Sequence, residues 1–108
     1  MPFIEMNTLP GRELFKGFHA RSIHTGTMTL MYWRVKEGAA IPVHSHIHEQ
    51  VAHVLLGKFE LTIGDETRIL EPGIVAFIPP QIPHGGKAIT DCELLDVFYP
   101  EREDYKFF

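Results

Sequence analysis

Four histidines, a glutamate and a glutamine fall within the ten residues from His44 to His53, inside the stretch GAAIPVHSHIHEQVAHVLLG at residues 38–57. Imidazole is a ligand for zinc, iron, nickel and manganese, so the first question is whether these rings can meet on one ion. His44 and His46 are two residues apart, which places both on one face of an extended strand. A helix would separate them by about 200°. Pro42 and the β-branched Ile41 and Val43 favour extended backbone at this point. A lone histidine on a strand is most often a polar residue at a sheet surface. Two at this spacing, with more donors directly after them, point to a metal site.

The remainder of the chain must build the frame that holds these rings. Its 108 residues make one domain, residues 1–108, large enough for a real core. Hydrophobic content of 44% and charged content of 22% are those of a soluble globular protein. A net charge of −4 gives no reason to expect nucleic acid or an anionic membrane as partner. No apolar run approaches the roughly 20 residues of a membrane helix. The opening MPFIEMNTLPG lacks the basic head and apolar run of a secretory signal. The single cysteine, Cys92, has no internal disulfide partner, which fits a reducing cytoplasm. Asp91 beside it opposes a thiolate, so a nucleophilic role is not expected.

Residues 1–13 read as an irregular arm with one short strand around residues 3–5, because Pro2, Pro10 and Gly11 interrupt them. Strands are predicted at residues 18–25 and 27–35, joined by a Thr25-Gly26 turn. Others follow at 51–56, 59–63, 67–70, 74–78, 82–89 and 92–99, separated by Gly, Pro and Asp turn signals. The last six residues carry some helical character. There is no long helical periodicity and no internal repeat. Short strands with turns every eight to twelve residues mean an all-β sandwich or barrel.

The spacing of the chemically active residues resembles the cupin family. Gly38, His44, His46, Gln50 and Gly57 keep the intervals of the first cupin motif (38–57), with glutamine in the usual glutamate's place. Gly73, Pro79 and His84 keep those of the second (73–88), with Gln81 where a glycine is usual and Ala88 where an asparagine is usual. The resemblance implies a jelly-roll barrel, the cupin double-stranded β-helix. It also implies one divalent transition metal held by His44, His46, Gln50 and His84. A glutamine ligates through its carbonyl oxygen without adding charge, leaving the ion a stronger Lewis acid and a better dock for an anion. Glu49 is the competing ligand, but strand alternation turns it away from the Gln50 side. His48 is expected at the rim of the site and His53 at the surface or a subunit contact. His19 and His24 are expected to be solvated or packed on the sheet.

A narrower resemblance lies at the end of the chain. Residues 95–105, LDVFYPEREDY, are similar to the D-x-F-x-P-x-R-x-D-[YF] ending of KdgF-like cupins, and HSHIHEQ is similar to their first motif. Those enzymes of pectin and alginate breakdown open the ring of unsaturated monouronates. The resemblance implies that Asp96 and Arg102 are catalytic and that Phe98 and Arg102 bind a small anionic sugar. Residue chemistry agrees. Asp96 and Phe98 share a strand face, a carboxylate near a metal can exchange a proton, and a guanidinium fits a carboxylate. For Arg102 the competing reading is an ion pair with Asp104. Two other classes stay open, a cupin dioxygenase and a non-catalytic metal- or sugar-binding module. A glutamine in place of a carboxylate weakens the first. The lack of an effector domain weakens the second. Apolar strands and the N-terminal arm lead to an expected homodimer.

Overall fold

The computed structural model describes residues 2–106. Ten strands follow one another: β1 (Arg12–Phe15), β2 (Phe18–His24), β3 (Thr29–Val35), β4 (Ala40–His44), β5 (Glu49–Leu56), β6 (Phe59–Ile63), β7 (Glu66–Leu70), β8 (Val75–Ile78), β9 (His84–Ala88) and β10 (Cys92–Tyr99). Single 3-10 turns lie at Met6–Thr8 and Glu103–Tyr105. A six-stranded sheet runs β1-β2-β3-β10-β5-β8 and a four-stranded sheet runs β4-β9-β6-β7. Every pairing is antiparallel. This is the all-β class expected from the strand pattern, in the two-sheet jelly-roll form that the cupin resemblance implies.

Alternation along the strands decides what the barrel holds. On β3, Thr29, Met31, Trp33 and Val35 point inward and are buried. Cross-strand register stacks them with partners from β2, β10 and β5. Thr29 lies beside His24 and Phe98, and Phe98 beside Gln50. One row deeper, Met31 lies beside Asp96 and Asp96 beside Ala52, and deeper still come Ala20, Trp33, Leu94 and Val54. Polar groups therefore gather at one end of the barrel and hydrocarbon fills the other. Phe15, Phe18, Trp33 and Phe59 form edge-to-face and stacked pairs in that apolar end.

Close backbone approaches fix turns at both ends of the barrel. Gly57 has φ of +88°, and a Cβ there would lie 2.2 Å from the Asp91 carbonyl oxygen, so no side chain fits. Gln81 takes a φ of +67°, in the left-handed region that a glycine occupies more easily. Its amide donates to the His46 carbonyl at 2.8 Å, which ties the second motif to the first.

The N-terminal reading is corrected. Residues 3–5 form no strand, because no neighbouring strand offers them a ladder. The first strand is instead Arg12–Phe15, which reaches into residues read as irregular. Its turn at Lys16-Gly17 is closed by the Gly17 amide on the Glu13 carboxylate at 2.7 Å. At the other end the helical character is one 3-10 turn at Glu103–Tyr105. Residues 107 and 108, which shared that expectation, lie outside the described residues.

Candidate metal centre

His44 ends β4, His46 follows in the loop, and His84 opens β9 directly opposite His44 in register. Their candidate ligand atoms all lie within 4.8 Å of one another. Each ring is held by a main-chain carbonyl two residues away. His44 Nδ1 donates to Pro42 O at 2.9 Å, His46 Nδ1 to His48 O at 2.9 Å, and His84 Nδ1 to Ile82 O at 2.8 Å. A carbonyl only accepts, so the proton of each neutral ring sits on Nδ1. Three Nε2 lone pairs are then left facing one point. Such outer hydrogen bonds are what orient and polarise metal-ligating imidazoles.

Two features fit a cation there. His84 Nε2 is buried with no hydrogen-bond partner. His46 Nε2 lies 3.1 Å from Gln50 Oε1. With the His46 proton committed on Nδ1, these are two acceptors face to face, a contact that repels unless a positive charge lies between them. A proton is a poor candidate for that charge. Burial, the Arg102 guanidinium and His84 push His46 down to about 4. Burial, His44 and Arg102 likewise hold His84 below the ordinary histidine range, against the upward pull of its Ile82 hydrogen bond. Neutral imidazoles are the form a metal requires.

Gln50 is 7% exposed and faces the barrel, while Glu49 has the opposite parity on β5. The amide is orientated from behind. The Asp96 carboxylate takes hydrogen bonds from the Gln50 side chain and from Trp33 Nε1, the latter at 3.0 Å. With its NH2 on Asp96, Gln50 turns its oxygen to the histidines. Loss of hydration inside the barrel raises Asp96 to about 6, although Gln50, Trp33 and Arg102 all favour its charged form. It is therefore a carboxyl poised to gain or lose a proton near neutrality.

Arg102 follows β10 and is 7% exposed. Its Nε and Nη2 donate to the two Asp104 oxygens at 3.0 and 2.8 Å. The ion pair weighed for Arg102 is thus present, and it uses two of the five N–H donors of the guanidinium. Burial works against the Arg102 charge, and the Asp104 hydrogen bonds outweigh it, so its pKa is raised. The guanidinium lies 4.7 Å over the Phe98 ring and 4.2 Å over the Tyr105 ring. The expected role of Phe98 as a platform for a sugar ring is narrowed by this packing. The ring is 3% exposed, with Arg102 over it and the His46 ring 5.6 Å away.

His48 stands at the rim, 5.5 Å from the His46 ring, outside the three-histidine cluster. Burial and Arg102 lower its pKa. His53 lies on the outer parity of β5, and its Nδ1 is buried without a partner. His19 is exposed near Glu13. His24 differs from its expectation, because it is hydrogen-bonded to both Thr29 and Tyr105. Trp33 and Tyr105 are the site residues that sequence reasoning left without a role. The inward parity of Trp33, shared with the core positions of β3, was the available signal. A cavity of about 470 Å³ joins the parts, with His44, Gln50, His84, Asp96 and Arg102 at its polar end and Phe59 and Leu61 below.

Known proteins share the fold over nearly the whole length of this chain. Residues 31–98 match the Cupin domain family. The pectin degradation protein KdgF of Dickeya dadantii is 36% identical over 107 residues, 95% of this chain and 96% of that protein. The structure of KdgF from Halomonas superposes with a TM-score of 0.90 at 27% identity, covering 96% of this chain and 97% of that one. An RmlC-like cupin from Shewanella frigidimarina gives 0.92 at 26% identity, covering 97% and 96%. Motif spacing, barrel and relatives agree, and the chain belongs to the cupin family, among its KdgF-like members.

Proposed function

We propose that this protein is a metal-dependent enzyme acting on a small anionic sugar, opening the ring of unsaturated monouronates to the linear keto form. The observation that carries this reading is the convergence of three Nε2 lone pairs and one amide oxygen beside a carboxyl group raised to about 6. His44, His46, Gln50 and His84 would hold one divalent transition metal, and this set of three nitrogens and one oxygen suits nickel, zinc, manganese or iron. When bound, the ion supplies a Lewis acid for the substrate's oxygen atoms. Arg102 binds the carboxylate with the donors Asp104 leaves free. Asp96 moves the proton as the enol becomes a ketone, and Phe98 supports Arg102 and shapes the wall. The likeness to KdgF supports the substrate class, and a cytoplasmic setting belongs to the same reading. Following the ultraviolet absorbance of unsaturated galacturonate tests it. The metal-loaded protein should clear the signal well above the spontaneous rate and a chelated sample should not. No clearance by a metal-loaded sample would sink the reading.

We also propose a homodimer through the outer face of the six-stranded sheet. Register lines up Phe77, Val51, Val97, Leu30 and Ile23 across five strands. At about 4.8 Å per strand this is a band roughly 20 Å wide. The next row holds Val75, His53, Leu95 and Tyr32, with Arg21 at its β2 edge, and the His53 Nδ1 lacks a partner there. Outer positions of the four-stranded sheet are instead mostly polar, among them Glu60, Thr62, Thr67 and Lys87. A solvated antiparallel face is normally polar, so the apolar one fits a second copy. Phe77→Lys with Val97→Lys should halve the mass seen by light scattering. A parent of about 12 kDa at micromolar concentration overturns the proposal.

A further inference from the structure

The C-terminal turn that carries Arg102 across the barrel mouth is fastened to the β2–β3 hairpin by a directed chain of hydrogen bonds. The Arg102 amide donates to Thr29 Oγ1 at 2.8 Å, and Thr29 is fully buried. Thr29 Oγ1 lies 2.9 Å from His24 Nδ1, and His24 Nε2 lies 3.2 Å from the Tyr105 carbonyl oxygen. For a neutral His24 ring, one set of proton positions satisfies every group. The Tyr105 carbonyl accepts, so His24 carries its proton on Nε2. Its Nδ1 then accepts the Thr29 hydroxyl proton, and the hydroxyl oxygen is left to accept the Arg102 amide. At the tip of the same hairpin, the Gly26 amide donates to Glu101 Oε2 at 2.7 Å.

Both ends of the turn are thereby held. Arg102 is fixed at its main chain by Thr29, and Tyr105, whose ring lies 4.2 Å from the guanidinium, is fixed at its carbonyl by His24. The side chain of Arg102 then packs into the corner formed by the edge-to-face rings of Phe98 and Tyr105 and is braced by Asp104. A long flexible cation would otherwise lose considerable rotamer entropy on meeting an anion, and a guanidinium held in advance avoids that loss at binding. We propose that Thr29 and His24 are positioning residues, which lock the C-terminal turn so that Arg102 meets the carboxylate of the substrate preorganised. This inference rests on the reading of Arg102 as the carboxylate-binding group.

Full-length metal-loaded protein tests it in two arms. In the first, amide hydrogen exchange at Arg102 is compared in the parent, Thr29→Val, Thr29→Ser and His24→Ala. Thr29→Val keeps the shape and removes the acceptor, so exchange at Arg102 should quicken at least tenfold. Thr29→Ser keeps the hydroxyl and should stay within about twofold of the parent. His24→Ala, at a half-exposed position, should quicken exchange across residues 102–105 even if Thr29→Val folds poorly. In the second arm, Thr29→Val and His24→Ala should each raise KM for unsaturated galacturonate about tenfold with kcat within twofold and metal content unchanged. The double variant should be no worse than the worse single one, because both act through one chain of bonds. Unchanged exchange overturns the clamp. Faster exchange with an unchanged KM overturns its use in binding. A parent that shows no turnover refutes the uronate reading, and the exchange arm still decides the clamp.

Discussion

The two halves of the candidate centre are built in different ways. In the histidine half every ring is held by a carbonyl two residues away, Pro42 for His44, His48 for His46 and Ile82 for His84. In the other half, the Asp104 brace on Arg102 apart, the supports come from far along the chain. Asp96 is held by Trp33 across 63 residues, the Arg102 amide by Thr29 across 73, and Tyr105 by His24 across 81. Local supports form wherever the strand forms, whereas distant ones exist only after the barrel has closed. The first half is made of donor atoms that need a cation. The second is made of a carboxyl and a guanidinium that can serve a substrate. On the proposed function, the difference makes the halves separable, one to bind the metal and the other to use it.

The sharpest way to break this separation is at the histidines. His46→Ala with His84→Ala should abolish stoichiometric metal by elemental analysis and reduce turnover to background. Retained metal in the folded double variant would remove the assignment of the ligand set. Asp96→Asn should lie next in size. It should cost about 10²–10⁴-fold in kcat, the usual range for a positioned acid–base group, while metal content and fold persist. Turnover at the parent rate would remove Asp96 from the proton-transfer role. Loss of metal instead would show that the halves are one unit joined through Gln50, whose amide Asp96 orientates. Arg102→Ala should have the smallest effect. A hydrogen-bonded charge is worth about 1.5–3 kcal/mol, so KM should rise about 10- to 100-fold with little change in kcat. A matching fall in kcat would mean that Arg102 acts in the transition state as well.

Homologous relatives carry the family assignment, but the local physics explains why so much was visible beforehand. The parity separating Gln50 from Glu49 is a property of an extended chain, and β5 is extended there, whereas β4 ends at His44 and His46 reaches the site from the loop that follows, not from one shared strand face. The strand β10 likewise falls on residues 92–99, between Asp91 and Pro100, as its turn signals imply. The N-terminal arm departs from its expectation for the complementary reason. Residues 3–5 have a strand-like composition but no neighbour to pair with, and residues 12–15 pair with β2 through a turn that Gly17 permits.

By itself the sequence determined the all-β class, the spacing of the histidine donors and the inward side of Gln50, because period-two alternation and turn chemistry act within a few residues. It also placed Asp96, Phe98 and Arg102 by resemblance, without saying what surrounds them. Only the tertiary structure decided that Phe98 lies beneath a guanidinium, that Asp96 loses hydration between Gln50 and Trp33, and that His24 holds the C-terminal turn. Those facts depend on which strands become neighbours. That is settled by burying one apolar face of each sheet against the other, a constraint on the whole chain that no short stretch contains.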